Sequence, residues 1–275
     1  MATFSIRGAR LEVEELGSVD AARTPLIWGH GLSSSRADED AEPLVDPTVV
    51  AGDGRRVVRY DARGHGASES TGDLAGYGWD QLALDQLTLA ETLGIERYVA
   101  GGASMGAATG LHAAVRAPER IVGLLLVIPP TAWETRAEQT DMYRQMADVV
   151  ETRGVEPLIA GAAMLPPPDP YLGRPEVRAR RAEALRNTDP ARLARVFRGA
   201  ATTDLPDPAL VRRIEVPALI LAWTGDPGHP VSSAERLREL LPHSEMVLAS
   251  TAAELATWTD RSVSFLDAVD GTDRG

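Results

Sequence analysis

Short apolar segments alternating with longer helical patterns restrict this chain to one broad class of fold. The segments 11–15, 25–28, 56–60, 98–100, 122–128, 218–223 and 246–249 have the length of strands, and most of the later ones are apolar throughout. Continuous apolar runs of that length suit strands buried on both faces of a parallel sheet. Helical patterns lie between them. In 79–93, Ala83, Leu87, Ala90 and Leu93 share one face at spacings of four and three, and Gly94 stops the pattern. Helices are also expected after Ser104, over 232–241 and over 253–268. The alternation predicts an α/β protein with a mainly parallel sheet and helices on both faces. One stretch departs from it. Residues 131–213 carry several amphipathic helical patterns joined by Pro-rich links such as Leu165-Pro166-Pro167-Pro168, with no strand pattern. They read as an inserted helical cap over one end of the sheet, leaving 1–130 and 214–275 as the core.

Composition removes much chemistry. With 28 basic and 40 acidic residues among 275, the net charge is −12, the opposite of the electropositive footprint that a nucleic acid or anionic membrane requires. The absence of cysteine excludes disulfides, thiolate metal sites and a cysteine nucleophile. Every basic side chain is arginine, so a P-loop lysine, a lysine Schiff base and pyridoxal chemistry are excluded as well. No cofactor and no metal are expected, and the expected partner is a small-molecule substrate. Met1-Ala2-Thr3-Phe4-Ser5-Ile6-Arg7 lacks the basic and apolar regions of a secretory leader, and the longest apolar run, 121–130, is too short to span a bilayer. A cytoplasmic protein is expected, with a polar tail over 267–275 that frays.

Gly102-Ala103-Ser104-Met105-Gly106 leads from a strand through a tight turn into a helix. Strained backbone at the serine pushes its hydroxyl out at the helix N-terminus, where free N–H groups can hold an oxyanion, and the flanking glycines avoid clashes. Trp28-Gly29-His30-Gly31-Leu32 ends an early strand, Tyr60-Asp61-Ala62-Arg63-Gly64-His65-Gly66-Ala67-Ser68 ends the next, and Gly225-Asp226-Pro227 follows a late one. In that order, and over roughly the whole chain, these motifs resemble the α/β-hydrolase superfamily. The resemblance implies an eight-stranded sheet, Ser104 as nucleophile, the backbone N–H groups of Leu32 and Met105 as oxyanion hole, and Asp226 as the acid that orients a histidine. A serine where dehalogenases and epoxide hydrolases carry an aspartate points away from those chemistries. His30 and His65 match positions with structural roles, His112 reads as packing or surface, and His243 as exposed.

The family's general-base histidine should follow the last strand. Leu248-Ala249-Ser250-Thr251-Ala252-Ala253-Glu254-Leu255 stands there instead, and no histidine follows His243. A serine hydroxyl without a base is a poor nucleophile at neutral pH. The nearest replacement is His229 in Asp226-Pro227-Gly228-His229, where Pro and Gly at the central positions predict a type II turn that brings Asp226 and His229 together. Glu254, the ionisable residue of the vacated segment, is a second candidate. Trp133, Met142, Met146, Met164 and Tyr171 are candidates for lining a pocket or for packing. Two readings follow: a serine hydrolase acting on a carboxylic ester or lactone of a small, largely apolar molecule, with His229 as a relocated base, or a non-hydrolytic relative, either a binding protein or a cofactor-free catalyst using only the pocket and oxyanion hole.

Overall fold

A computed structural model describes residues 1–20, 22–52 and 54–273 of the chain. Its strands are β1 (Ala2–Ile6), β2 (Ala9–Leu16), β3 (Leu26–Gly29), β4 (Val57–Tyr60), β5 (Tyr98–Ala103), β6 (Ile121–Val127), β7 (Ala218–Trp223) and β8 (Ser244–Ala249). They form one eight-stranded sheet in the order β1-β2-β4-β3-β5-β6-β7-β8. β1 and β2 pair antiparallel, as do β2 and β4, and every later pairing is parallel. β5, β6 and β7 are buried at every position, as their unbroken apolar runs require. Successive side chains supply opposite layers of the core: Leu124 and Leu126 of β6 pack on one face, Leu125 and Val127 on the other. The sequence gives no apolar run over β1, because this edge strand exposes most of its side chains.

Helices α1 (Arg36–Ala41), α2 (Pro47–Ala51), α3 (Trp79–Thr92) and α4 (Met105–Arg116) connect the first six strands. Between β6 and β7 the described chain holds only helices, 3-10 turns and links: α5 (Arg136–Arg153), α6 (Glu156–Ala163), α7 (Pro175–Arg186), α8 (Pro190–Ala200) and α9 (Pro208–Val211). After β7 come α10 (Val231–Leu240), α11 (Ala252–Leu255) and α12 (Trp258–Asp273). The single helix expected over 253–268 is therefore two, and the second places Trp258 in the core, stacked on Trp223 at 6.2 Å. The tail expected to fray, 267–275, begins inside α12. Asp270 accepts from the buried Arg55 at 2.8 Å and from the Thr24 N–H at 2.8 Å, which ties α12 to the body. Residues 274–275 lie outside the described residues.

Candidate active site

A single residue, Ser104, joins β5 to α4. Its backbone sits at φ 50°, ψ −103°, in the left-handed half of the map where a non-glycine residue is uncommon, at a cost of about 1–3 kcal/mol. The Ser104 N–H, donated to the Val127 carbonyl at 2.9 Å, fixes the turn against β6. The flanking glycines have a steric cause. A Cβ on Gly106 would lie 1.9 Å from the Gly29 carbonyl oxygen, and one on Gly102 would lie 2.5 Å from the same atom. Only glycine at both positions lets the elbow and the start of α4 close against β3.

The loop leaving β7 meets this serine. The His229 Nε2 lies 2.8 Å from Ser104 Oγ, and its Nδ1 lies 2.7 Å from Asp226 Oδ2. Asp226 and His229 share one turn, closed by the His229 N–H donating to the Asp226 carbonyl at 3.2 Å. That turn is not the expected type II, which needs positive φ at its third residue. Gly228 does not have it. Instead the Asp226 carboxylate accepts the Gly228 N–H at 2.9 Å, folding the turn around the acid itself. The Trp223 indole N–H donates to Asp226 Oδ2 at 3.0 Å, a partner that sequence reasoning missed because Trp223 reads simply as the last apolar residue of a strand. A buried indole in search of an acceptor, three residues ahead of an aspartate, was the available signal.

Burial alone would push the Asp226 carboxyl up. The hydrogen bond and charge of His229, with the Gly228 and Trp223 N–H groups, outweigh it and hold the carboxyl down at about 2. A carboxylate that stays ionised can only accept, so His229 Nδ1 must carry the proton it shares with Asp226. In the neutral ring Nε2 is then the bare nitrogen, facing the Ser104 hydroxyl.

Two further backbone groups bear on the site. Met105 is the first residue of α4, where an N–H has no partner inside the helix. Among the described residues, neither the Met105 nor the Leu32 N–H donates to a protein acceptor. Gly31, next to Leu32, approaches the elbow so closely that a Cβ on it would be 3.9 Å from the Ser104 Cβ. Leu32 itself packs against apolar side chains of α5 and α8, in the cluster of Ala147, Val150, Leu193 and Phe197.

The family model for the alpha/beta hydrolase fold matches residues 25–260. The chain belongs to this family. Among curated members, this α/β hydrolase is 29% identical to 3-oxoadipate enol-lactonase 2 of Acinetobacter baylyi over 191 residues, 69% of this chain and 68% of the relative. It is 29% identical to N-formylmaleamate deformylase of Pseudomonas putida over 203 residues, 73% of this chain and 72% of that one. The crystal structure of the enol-lactonase from Burkholderia xenovorans superposes with a TM-score of 0.79 at 23% identity, covering 98% of each chain.

The remaining sequence candidates sit apart from the Ser104–His229 contact. In this hydrolase His30 Nε2 accepts the Ala62 N–H at 2.9 Å while Nδ1 donates to the Gly31 carbonyl at 2.8 Å, so the ring joins two loops of the sheet edge. His65, 4.9 Å from it, donates to the Arg63 carbonyl, and burial pushes it down to about 3, so it stays neutral. His112 bonds the Asp204 carbonyl, and His243 is exposed. Glu254 is turned into its own helix cap, accepting from the N–H and hydroxyl of both Ser250 and Thr251, which removes it as a base candidate. Met142 and Met164, at 45% and 85% exposure, face outward, and Tyr171 is core, set edge-on against Trp223 at 5.3 Å. Trp133 and Met146 pack against core clusters. Among the described residues no group of three or more His, Asp or Glu could hold a metal ion, and no helix is long and apolar enough to cross a membrane.

Proposed function

We propose that this α/β hydrolase cleaves a carboxylic ester or lactone of a small, largely apolar molecule, with Ser104 as nucleophile, His229 as general base and Asp226 as the residue that orients it. The observation that carries the reading is the continuous chain from Ser104 Oγ through both nitrogens of one imidazole to an ionised carboxylate, in contacts of 2.8 and 2.7 Å. Nucleophile, base and orienting acid within hydrogen-bond reach are the signature of an activated hydroxyl.

His229 Nε2 takes the Ser104 proton as Oγ attacks the carbonyl carbon. Negative charge develops on the carbonyl oxygen, and the Leu32 and Met105 N–H groups, neither used by the protein, are the donors proposed to receive it. Asp226 stabilises the imidazolium without taking its proton. His229 then passes that proton to the leaving oxygen, and the C–O bond breaks to leave an acyl ester on Ser104. Water, deprotonated by the same Nε2, attacks the acyl carbon, and the returned proton restores Ser104. In a lactone the leaving oxygen stays tethered to the acyl group, and a single hydroxy acid is released.

The helical insertion 131–213 is proposed as the cap of the site, since its apolar cluster packs on Leu32 beside the proposed oxyanion donor. The non-hydrolytic reading rests on the lack of a base after the last strand and on fold alone not fixing function, and the contact of His229 with Ser104 supports the hydrolytic reading instead. A fluorophosphonate probe combined with a panel of short-chain p-nitrophenyl esters and small lactones tests the proposal. Covalent labelling of Ser104 and turnover of at least one panel member are expected. Absence of both would refute it.

A further inference from the structure

The geometry points to Asp169, in the helical insertion, as a positioning residue for the loop that carries both Asp226 and His229; this inference rests on the hydrolase reading above. Acid and base come here from a single turn of four residues rather than from two separate loops. Any displacement of that turn moves both groups together away from Ser104, which is fixed independently by β5, β6 and α4. The contact with Ser104 is therefore only as well defined as the hold on the loop.

That hold comes largely from the insertion. The Asp169 N–H donates to the Thr224 carbonyl at 3.0 Å, and the Thr224 hydroxyl donates back to Asp169 Oδ2 at 2.6 Å. This reciprocal pair grips the chain two residues before Asp226. The other carboxylate oxygen, Oδ1, lies against Gly225, where a Cβ would be 2.4 Å away, so the carboxylate also fills the space above the positive-φ glycine that turns the chain out of β7. The 3-10 turn beginning at Asp169 carries Tyr171, which abuts Trp223, the indole donor to Asp226. The far side of the turn is held at the start of the insertion, by the Thr131 N–H donating to the Gly228 carbonyl at 3.2 Å. The core contributes the Thr224 N–H to the Ala249 carbonyl at 3.1 Å. Among the described residues, Asp169 is thus the side chain of the insertion that bonds the loop directly. Removing its carboxylate takes away the Thr224 hydroxyl bond and the packing over Gly225, leaving this side of the turn on backbone bonds alone. A drift of about 1 Å there would carry His229 Nε2 out of hydrogen-bond range of Ser104 and cost on the order of 100-fold in rate.

The test uses the full chain and two readouts, the rate of fluorophosphonate labelling and the kcat and KM for p-nitrophenyl acetate, with thermal unfolding as a check on folding. Asp169→Ala should lower the labelling rate and kcat by on the order of 100-fold with KM little changed. Asp169→Asn should recover most of the rate, because its amide oxygen can still accept the Thr224 hydroxyl. Thr224→Val removes the same bond from the core side without touching the insertion. It should reproduce the loss, and the double variant should be no slower than either single one. Asp169→Ala and Thr224→Val at wild-type labelling rate and kcat would overturn the positioning role while leaving the hydrolase reading intact. A wild-type chain that neither labels nor turns over would instead overturn that reading, and this inference with it.

Discussion

The loops that follow β7 and β8 leave the same edge of the sheet side by side, yet they carry opposite contents. The first, from Thr224 to Pro230, holds an ionised carboxylate, an imidazole in contact with Ser104 and a network of backbone bonds around both. The second, from Ser250 to Leu255, holds a carboxylate spent on its own helix cap. Family resemblance places the base on the second. β7 and β8 pair in parallel, with Trp223 opposite Ala249, so the loops start one strand spacing apart, about 4.8 Å. A histidine side chain spans such a gap. Under the proposed mechanism, the place where an imidazole must stand is set by Ser104 and the sheet edge, and either neighbouring loop could deliver it. Delivery from the loop of Asp226 would have a consequence under that mechanism: both proposed groups share one anchorage, and a clamp on that loop gains weight.

The largest way to break the comparison is to remove the members of the proposed pair. Ser104→Ala and His229→Ala should each lower kcat by up to ~10⁶-fold, and the double variant should be no worse than either, because both disable the same step. Steady-state kinetics on any ester that the wild type turns over checks this. A His229→Ala variant only a few-fold slow would return the base to an unidentified group. Asp226→Asn comes next, with a loss of about 10⁴-fold, since an amide donor facing Nδ1 selects the tautomer with the proton on Nε2. The acid also leaves a mark on stability. Its folded-state pKa of about 2 is below the ordinary 3.8, so its contribution is fully present above about pH 4 and is lost as the pH falls toward 2. The melting-temperature gap between wild type and Asp226→Asn should narrow over that window. The smallest effect belongs to the other loop: Glu254→Ala should leave kcat unchanged and lower only the melting temperature, since its carboxylate caps α11. A fall in kcat there would mean that the loop after β8 still takes part in the chemistry.

Much of this arrangement is legible in the sequence because it is written in backbone constraints. The apolar runs of β5, β6 and β7 announce buried parallel strands, and Gly102 and Gly106 announce an elbow because no other residue clears Gly29. The pairing of Asp226 with His229 follows from their separation by three residues whatever the turn type, so the type II expectation could fail at Gly228 and still give the right neighbours. What stays hidden depends on contacts between distant segments. Asp169 and Thr224 are 55 residues apart and neither belongs to a motif, so nothing local marks their bond. Trp223 looks like any apolar strand end until its indole N–H is seen to point at Asp226. Met142 and Met164 resemble pocket lining by residue type alone, and only the packing of α5 and of the link after α6 shows that they face outward.

The most direct test of the proposed relocated base is the acylation step itself, measured before the steady state. Wild-type chain and His229→Ala, both checked for folding, would be mixed with an excess of a p-nitrophenyl ester that the wild type hydrolyses, and the burst of p-nitrophenolate followed. The wild type should release p-nitrophenolate in a burst matched by an acyl adduct on Ser104, and His229→Ala should show neither on the same timescale. A burst of equal rate and an equal Ser104 adduct in His229→Ala would contradict the assignment.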